Sequence, residues 1–269
     1  MGSGGGKLAL ITGASSGLGA AFARACAARG YDLALAARRL DRLETLCAEL
    51  SAAHGVNAFA IQVDLAKDRA EDAVLEALAA RARSVDLLIN NAGFSIPQSF
   101  GAVPWERQRG FLMTLVVSAC GLAHGVLPDM IARGEGAIIN VASLAGFAPG
   151  AAGHTLYPGA KSLAIKFSEA LDAEYRAQGI RVTAVCPGFT LTDFATANGT
   201  QAVMDASPRM FFQTAQAVVE AALRANEAGR VVVVPGWHNK LAAFLLHYLP
   251  GPLVSAVIRA GSARYHLEA

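Results

Sequence analysis

The sequence has few cysteines, few histidines and little charge, and each shortage excludes a class of protein. Its four cysteines form no Cys-x-x-Cys pair, so we expect reduced thiols in a cytoplasmic protein rather than a disulfide framework. Its six histidines show no spacing of the His-x-x-x-His kind, so no metal site is predicted. Charged residues make up 16% of the chain and the formal net charge is +2, which indicates neither a nucleic acid nor an acidic partner.

Apolar residues, in contrast, are abundant. They make up 54% of the 269 residues, and alanine is frequent among them. Such a composition is typical of parallel strands that helices cover on both faces. We expect no transmembrane helix, because the apolar runs fall short of the roughly 20 residues that a membrane span needs.

Strand-like and helix-like patterns alternate along the chain, which predicts one α/β domain. Buried strands are expected at 7–12, 31–36, 56–63, 86–90, 136–142, 180–186 and 231–234. Helices are expected at 18–29, 40–53, 70–82, 105–131, from just before 157 to 178, and at 217–226. Short loops between these elements require right-handed crossovers. The predicted fold is therefore a three-layer, doubly wound Rossmann-type fold with a mainly parallel seven-stranded sheet.

The domain is expected to span residues 7–236, after a glycine-rich and flexible segment at 1–6. Residues 237–269 are expected to form an apolar helical extension, with two short apolar faces separated by Pro250-Gly251-Pro252. Three interpretations of this extension stay open. It packs across a subunit interface or over the substrate cleft, it lies on a membrane surface, or it belongs to the core of the same chain.

A glycine-rich turn joins the first predicted strand to the first predicted helix. Glycine lets a backbone approach a phosphate closely, and the helix N-terminus offers unpaired N–H groups. This position favours a dinucleotide site, with a tight structural turn as the alternative. The candidate phosphate-binding residues are Gly13, Ser15, Ser16, Gly17, Leu18 and Gly19.

The end of the second predicted strand indicates which dinucleotide binds. Arg38 and Arg39 stand where an acidic residue would bind the ribose hydroxyl of NAD. Guanidinium groups suit a 2′-phosphate, so NADP(H) is predicted in preference to NAD(H), with a solvated charge pair as the alternative. After the third strand, Asp64 and Leu65 are candidates for contact with the adenine, although Asp64 is equally suited to capping the following turn.

Three further residues suggest proton chemistry. Tyr157 and Lys161 lie four apart on a predicted helix and so share a face, with Ser143 upstream. An ammonium ion beside a phenol lowers the pKa of the phenol, which can then exchange a proton with a carbonyl or alcohol oxygen. Ser143 is suited to donating a hydrogen bond to the same oxygen.

At these residues the chain resembles the short-chain dehydrogenase/reductase family, in its single-domain branch. The resemblance covers residues 7–234 and rests on the order and spacing of six features. They are the glycine-rich turn, Asn90-Asn91-Ala92-Gly93, Ser143, Tyr157, Lys161 and Pro187-Gly188. It implies that Tyr157 is the general acid/base, that Ser143 orients the substrate oxygen, and that Lys161 tunes Tyr157 and holds the nicotinamide ribose.

The resemblance also implies cofactor contacts for residues after the fourth and sixth strands. Asn90, Ala92 and Gly93 pack against the cofactor, a structural role being equally open to them. Pro187, Gly188, Thr190 and Thr192 wrap the nicotinamide, and Arg38 reads the 2′-phosphate. It further implies a homodimer or homotetramer built on the two long helices.

One departure from the family pattern concerns the long fourth helix. The family usually carries an asparagine there that completes a proton relay to the lysine, whereas this chain reads Met113-Thr114-Leu115-Val116-Val117-Ser118. Thr114 or Ser118 is a candidate substitute, and a backbone carbonyl together with a water molecule is the other alternative. The departure leaves a weakly catalytic or non-catalytic NADP-binding sensor or scaffold as an alternative function.

The sequence therefore predicts an NADP-dependent oxidoreductase that interconverts a carbonyl group and an alcohol on a small hydrophobic molecule. The hydrophobic substrate is inferred from a candidate flap at 190–208 and its neighbours, for which an ordinary surface loop is the alternative. The apolar side chains there are Phe189, Phe194, Met204, Met210, Phe211 and Phe212. A peripheral membrane reductase that modifies lipids is a further alternative, and it would make the cytoplasmic protein membrane-associated.

Overall fold

The computed structural model describes residues 6–150, 152–192, 211–249 and 254–256, without the side chain of His247. The strands are β1 (Leu8–Thr12), β2 (Asp32–Ala37), β3 (Ala58–Gln62), β4 (Leu87–Asn90), β5 (Gly136–Val141), β6 (Ile180–Val185), β7 (Thr190–Leu191), β8 (Gln213–Thr214) and β9 (Val232–Val233). The α-helices are α1 (Gly17–Ala27), α2 (Leu40–His54), α3 (Ala70–Ala79), α4 (Trp105–Leu112), α5 (Ser118–Arg133), α6 (Tyr157–Tyr175), α7 (Ala215–Glu227) and α8 (Trp237–Tyr248).

Seven strands form one sheet in the order β3-β2-β1-β4-β5-β6-β9, and every neighbouring pair is parallel. The predicted Rossmann-type sheet is therefore confirmed. The strand order reverses between β1 and β4, and in open parallel sheets this is where a crevice forms outside the carboxyl ends of the strands. The loops that follow β1 and β4 carry the glycine-rich turn and Asn90-Asn91-Ala92-Gly93, so both motifs border that crevice.

The two faces of the sheet are covered by different helices. Alternate residues of a strand point to opposite faces. Ala9 and Ile11 of β1 pack with residues of α1, α2 and α7, such as Phe22. Leu8 and Leu10 pack with residues of α3, α5 and α6, such as Leu122. Every residue of β1 and β2 is buried, which explains why these central strands are almost entirely apolar.

The long fourth helix predicted at 105–131 is present with a local change of pitch. A π-helical segment, Met113–Val117, joins α4 to α5. By length and composition alone, Trp105–Arg133 would suffice to cross a membrane, contrary to the expectation from the sequence. Half of its most apolar window is nevertheless buried within the protein, as in the core helix of a globular domain.

Two features lie beyond the central sheet. β7 and β8 form a separate parallel pair that joins the loop after β6 to the segment before α7. α8 lies against a 3₁₀ turn at Leu144–Phe147, directly after Ser143. The rest of the candidate flap, including Phe194, Met204 and Met210, lies outside the described residues. So do residues 1–5, Pro250-Gly251-Pro252 and 257–269.

Candidate active site

The fold brings Ser143 and Tyr157 together beyond the end of β5. Ser143 has an extended backbone at the start of the 3₁₀ turn, and its Oγ accepts a hydrogen bond from the Ala145 N–H at 3.1 Å. Tyr157 is the first residue of α6, where Pro158 suits the first helical turn. The two side-chain hydroxyls are hydrogen-bonded to each other. This arrangement presents two hydroxyl groups that are able to bind one substrate oxygen.

Lys161 lies behind this pair and is almost entirely buried. Its Nζ donates to the Val141 carbonyl oxygen at 2.7 Å and stands 5.7 Å from the centroid of the Tyr157 ring. Burial disfavours the charged ammonium form and lowers the pKa of Lys161 to about 8. Lys161 is thus held one helical turn from Tyr157 by a backbone carbonyl at the end of β5.

The pKa of Tyr157 differs from the expectation of a phenol shifted toward neutrality. Burial raises the pKa of Tyr157, and the hydrogen bond with Ser143 lowers it by a smaller amount. Burial therefore outweighs the effect of Ser143, and the phenol keeps its proton at neutral pH. A proton is consequently available on the phenol oxygen.

The glycine-rich turn is a site of close backbone approach. A Cβ on Gly19 would lie 2.2 Å from the Gly13 carbonyl oxygen, so no larger residue fits there without movement of the backbone. Gly13 has a φ of +66°, which favours glycine. A Cβ added to Gly13 would lie 2.9 Å from the Cα of Ala92, so the missing side chain makes room for the Ala92 backbone. The turn is thus folded tightly against the loop after β4.

Asn91 and Thr12 hold these two loops together. The Asn91 amide donates to the Thr12 carbonyl oxygen at 2.8 Å, and the Thr12 hydroxyl accepts from the N–H groups of Asn91 and Ala92. Neither residue was among the predicted site residues. The sequence indicated a functional amide within Asn90-Asn91-Ala92-Gly93. That the Asn91 amide contacts the end of β1 is known only from the pairing of β1 with β4 in the structure.

Asn90 has a structural role in the sheet. Its amide nitrogen donates to the Asn140 side-chain oxygen at 2.9 Å and to the Ala119 carbonyl oxygen at 3.0 Å. These bonds connect β4, β5 and α5 inside the protein. Gly93 faces Leu115, since a Cβ on Gly93 would meet the Leu115 side chain at 3.5 Å.

Arg39 lies directly over the glycine-rich turn. Its guanidinium donates to the hydroxyls of Ser15 at 2.9 Å and Ser16 at 2.8 Å. Arg38, the residue predicted to read the phosphate, is exposed beside it, and its carbonyl oxygen accepts from the Gln62 amide. Two exposed cations and two hydroxyls thus converge at the end of β2, which is suitable for an anionic group.

The segment after β3 adopts the capping geometry that was one of the two alternatives for Asp64. Asp64 Oδ1 accepts a hydrogen bond from the Ala66 N–H at 3.1 Å. The side chain of Leu65 is buried in the core, and its carbonyl oxygen accepts from the Ser118 hydroxyl at 3.0 Å. Contact of either residue with an adenine stays a prediction.

The loop after β6 reaches both halves of the site. The Pro187 carbonyl oxygen accepts from the Leu144 N–H at 2.9 Å, beside Ser143. Thr190 Oγ1 donates to the Gly188 carbonyl oxygen at 3.1 Å. The side chain of Thr192 lies against Gly17, where a Cβ would meet it at 3.4 Å. The loop therefore runs from the hydroxyl pair to the glycine-rich turn.

Asn239 of α8 is a second residue that the sequence did not single out. It is buried, and its amide nitrogen donates to Gln213 Oε1 and to the Pro235 carbonyl oxygen, both at 2.9 Å. A Cβ on Gly188 would lie 2.3 Å from Asn239 Oδ1. Asn239 thus joins α8 to the loop after β6 and to β8.

The two candidate substitutes for the missing asparagine point elsewhere. The Thr114 hydroxyl donates to the Gly110 carbonyl oxygen at 2.9 Å, within its own helix. The Ser118 hydroxyl donates to Leu65, on the side of α3. Leu115 instead packs in an apolar cluster with Phe111, next to Tyr157. Within the described part of the chain, no side chain of the Met113–Val117 segment makes a polar contact with Lys161.

No group of three or more metal-ligating side chains lies together among the described residues. The four cysteines are free thiols, and burial raises the pKa of Cys186 to about 12. Thiolate or metal chemistry therefore has no support from the described side chains around Tyr157.

Known proteins share both the sequence and the fold. A Myxococcus xanthus protein described as an uncharacterized oxidoreductase is 35% identical over 253 residues, covering 94% of this chain and 96% of the relative. A sulfoacetaldehyde reductase of Chromohalobacter salexigens is 38% identical over 73% of this chain and 78% of its own length. A Sphingobium yanoikuyae short-chain dehydrogenase solved with NADPH has a TM-score of 0.80 and 33% identity over 93% of this chain and 95% of that structure.

The sequence model described as short chain dehydrogenase matches residues 7–202, which include the glycine-rich turn, Ser143, Tyr157 and Lys161. Taken with the parallel sheet and the relatives, this match shows that the chain belongs to the short-chain dehydrogenase/reductase family of NAD(P)-dependent oxidoreductases.

Proposed function

We propose that this protein interconverts an apolar ketone or aldehyde with its alcohol, using NADP(H) as the redox partner. The observation that carries this proposal is the hydrogen-bonded pair of Ser143 and Tyr157 with buried Lys161 behind it. Two hydroxyls that face one point supply both a hydrogen-bond donor and a transferable proton for a single oxygen atom. A protein that only binds a dinucleotide has no need for that combination.

The residues around the crevice fit a dinucleotide. The turn, folded tightly at Gly13 and Gly19, leads into the N-terminus of α1, whose unpaired N–H groups suit a phosphate, and Thr192 lies against Gly17. We propose that the cofactor is held by Gly13, Ser15, Ser16, Gly17, Leu18, Gly19, Arg38, Arg39, Asp64, Leu65, Asn90, Ala92, Gly93, Tyr157, Lys161, Pro187, Gly188, Thr190 and Thr192. The nicotinamide, when bound, supplies a hydride in reduction and accepts one in oxidation.

Tyr157 then acts as the general acid in the reducing direction. Because its pKa is raised, the phenol holds its proton until the substrate oxygen gains negative charge and takes it. Ser143 donates a hydrogen bond to the same oxygen and stabilises that charge. Lys161 stands 5.7 Å from the phenol ring and stabilises the phenolate that is left, and in the oxidising direction the proton returns to Tyr157.

The preference for NADP(H) is proposed from Arg39 and Arg38, with the NADPH complex of the Sphingobium yanoikuyae relative as support. Parallel titrations with NADPH and NADH test it. We expect Arg39→Ala to weaken NADPH binding about tenfold or more while NADH binding changes little, because only NADPH carries the 2′-phosphate. Tighter binding of NADH by the wild-type protein would contradict the preference.

An apolar substrate is proposed from the side chains next to Tyr157. A small cavity beside it has an apolar side, formed by Ile96, Phe111 and Leu156, and a polar side, formed by Gln98, Gln108, His154 and Thr155. Sites that take hydrophobic small molecules combine apolar walls with polar groups that fix the orientation of the ligand. We also propose that the protein self-associates through the long helix that spans α4 and α5 and through α6. Val117, in the π-helical segment between α4 and α5, and Leu163 of α6 are each 41% exposed.

The experiment that tests the activity is consumption of NADPH at 340 nm with a panel of carbonyl compounds. Aliphatic, aromatic and polycyclic ketones are compared with small charged aldehydes at equal concentration. We expect turnover with the apolar members and little with the charged ones. Cofactor binding without turnover of any member would instead favour the sensor or scaffold, an alternative that the absence of an asparagine from Met113–Ser118 supports.

A further inference from the structure

The outer surface of α8 is apolar and exposed to solvent. The exposed side chains are Trp237, Leu241, Phe244, Leu245 and Tyr248, which we call the α8 outer face. Trp237 is 70% exposed and Phe244 is 57% exposed. Their positions recur every three or four residues, so they share one side of the helix. Large aromatic side chains that are this exposed and this close together mark an interaction surface.

The opposite side of α8 is fixed to the protein. Buried Asn239 is hydrogen-bonded to Gln213 and Pro235, and its side chain contacts Gly188. The helix also lies against the 3₁₀ turn that follows Ser143. The α8 outer face is therefore held in a set orientation beside the mouth of the candidate active site.

The apolar surface continues from α8 toward the loop after β6. The ring of Phe211 meets that of His238 at 5.9 Å, and Phe189 stacks on Phe212 at 5.6 Å. Phe189 is 42% exposed and Leu191 is 58% exposed. An apolar rim thus extends along the loop that reaches from Ser143 to the glycine-rich turn.

The charge of this part of the chain is of one sign. From residue 228 to residue 267 the sequence has no aspartate or glutamate, whereas it has Arg230, Lys240, Arg259 and Arg264. Lys240 is exposed on α8 itself. The 3₁₀ turn against which α8 lies, Leu-Ala-Gly-Phe, is also without acidic residues. α8 itself thus carries the exposed positive charge of Lys240 and no negative charge, which complements a negatively charged plane.

A second copy of the protein fits this surface less well than a lipid bilayer does. A helix of 12 residues is about 18 Å long and roughly 10 Å wide, so one face offers on the order of 200 Å². Stable protein interfaces bury about 800 Å² on each partner. An amphipathic helix with Trp, Phe and Leu on one side and basic charge beside them needs no such area, because it lies in the headgroup layer.

We propose that the α8 outer face docks on the surface of an anionic lipid bilayer. Docking would turn the rim at Phe189 and Leu191 toward the lipid and give apolar compounds dissolved there a short path to Tyr157. The docking itself does not depend on the proposed reaction. It is tested by binding, whereas the reaction is tested by turnover of soluble substrates, so the failure of one leaves the other intact.

The test uses the full-length protein and sedimentation with vesicles of phosphatidylcholine alone or with roughly one-third phosphatidylglycerol. We expect binding to the anionic vesicles and at least tenfold weaker binding to the neutral ones. Phe244→Ser is expected to lower anionic binding about tenfold or more, and Lys240→Glu about fivefold or more. Phe100→Ser, which removes an exposed apolar side chain before α4 and away from α5, α6 and α8, is the matched control and should bind like the wild type.

Tryptophan fluorescence gives a second measurement, because the chain has two tryptophans. Trp105→Phe leaves Trp237 as the sole emitter, and its emission should shift to shorter wavelength when anionic vesicles are added. Trp237→Phe leaves the exposed Trp105, whose emission should stay unchanged. Turnover of a water-soluble ketone by Phe244→Ser, equal to that of the wild type, shows that the variant is folded.

Three results would overturn the proposal. The first is a wild-type protein that stays in the supernatant with anionic vesicles. The second is an equal loss of binding by Phe100→Ser and Phe244→Ser. The third is a change of oligomeric state on Phe244→Ser without any vesicle binding, which would identify a second copy of the chain as the occupant of this face.

Discussion

The two halves of the candidate site are built in different ways. In the half around the glycine-rich turn, the main chain itself is approached closely: Gly19 lies against the Gly13 carbonyl, and the Asn91 amide binds the Thr12 carbonyl oxygen. In the half formed by the loop after β6 and α8, side chains make the contacts, with Asn239 packed on Gly188. Close approach of two backbone segments admits few residue types, so it is visible in the sequence as a motif. Side-chain packing can be achieved by many residue combinations, so it gives no recognisable motif.

The first prediction tests the backbone half and has the largest expected effect. Gly19→Ala places a Cβ 2.2 Å from a carbonyl oxygen of the main chain, which has little freedom to move. We expect a loss of about 3 kcal/mol or more in the free energy of unfolding and a loss of NADPH binding. Chemical denaturation and NADPH titration measure the two effects. Gly101→Ala, where the added Cβ meets nothing within 4 Å, is the control. An equal loss of stability and NADPH binding in this variant would show that the effect does not come from the contact with the Gly13 carbonyl.

The same contrast explains what the sequence predicted. The seven-stranded parallel sheet followed from alternating apolar strands and helices, and it is confirmed. The neighbouring positions of Ser143, Tyr157 and Lys161 followed from motif spacing. The contact of Asn239 with Gly188 could not be predicted, because it joins residues 51 apart and depends on how α8 packs.

The raised pKa of Tyr157 also could not be predicted from the sequence. The spacing of Tyr157 and Lys161 predicts that the ammonium lowers the pKa of the phenol. Burial of both groups depends on the tertiary packing of α6 against β5, and it opposes this effect. The sequence could name the pair, but its electrostatic state depends on how much water the fold excludes.

The second prediction tests the side-chain half. Gly188→Ala forces a Cβ against the Asn239 amide, which two hydrogen bonds hold in place, and is expected to cost about 1–3 kcal/mol. Asn239→Ala leaves the acceptors on Gln213 and Pro235 unpaired and is expected to cost about 1–3 kcal/mol. The double variant should be more stable than the sum of the two losses implies, because removal of the amide makes room for the new methyl group.

Denaturation of the two single variants and the double variant, with NADPH titration of each, measures this coupling. Additive losses would show that Asn239 does not contact Gly188 as described. Weakened NADPH binding by Asn239→Ala, with stability largely kept, would sharpen the comparison by showing that α8 positions the loop after β6.

The third prediction concerns the charge behind the hydroxyl pair and has the smallest expected effect. The pKa of Lys161 is lowered to about 8 from its ordinary 10.5, so between these pH values the unfolded chain binds more protons than the folded one. Stability should therefore rise with pH across this window, by at most about 1.4 kcal/mol per pH unit. Below pH 8, Lys161 is protonated in both the folded and the unfolded chain, so it no longer makes the stability depend on pH.

Unfolding free energies at pH 7.5 and 9.5 are compared with those of Lys161→Met, which lacks the titrating group. The wild-type protein should gain stability relative to this variant between the two pH values. Lys166→Met, which removes an exposed lysine of the same helix, is the matched control. A difference that stays constant would show that Lys161 is not buried as described.

The most direct test of the account is a single-turnover measurement on Tyr157→Phe saturated with NADPH and given an apolar ketone that the wild-type protein reduces. The phenyl ring keeps the packing with Phe111 but has no proton to donate. We predict unchanged NADPH affinity and a hydride-transfer rate about 10²- to 10⁴-fold lower, with Tyr31→Phe equal to the wild type. A Tyr157→Phe rate close to that of the wild type would contradict the assignment of Tyr157 as the proton donor.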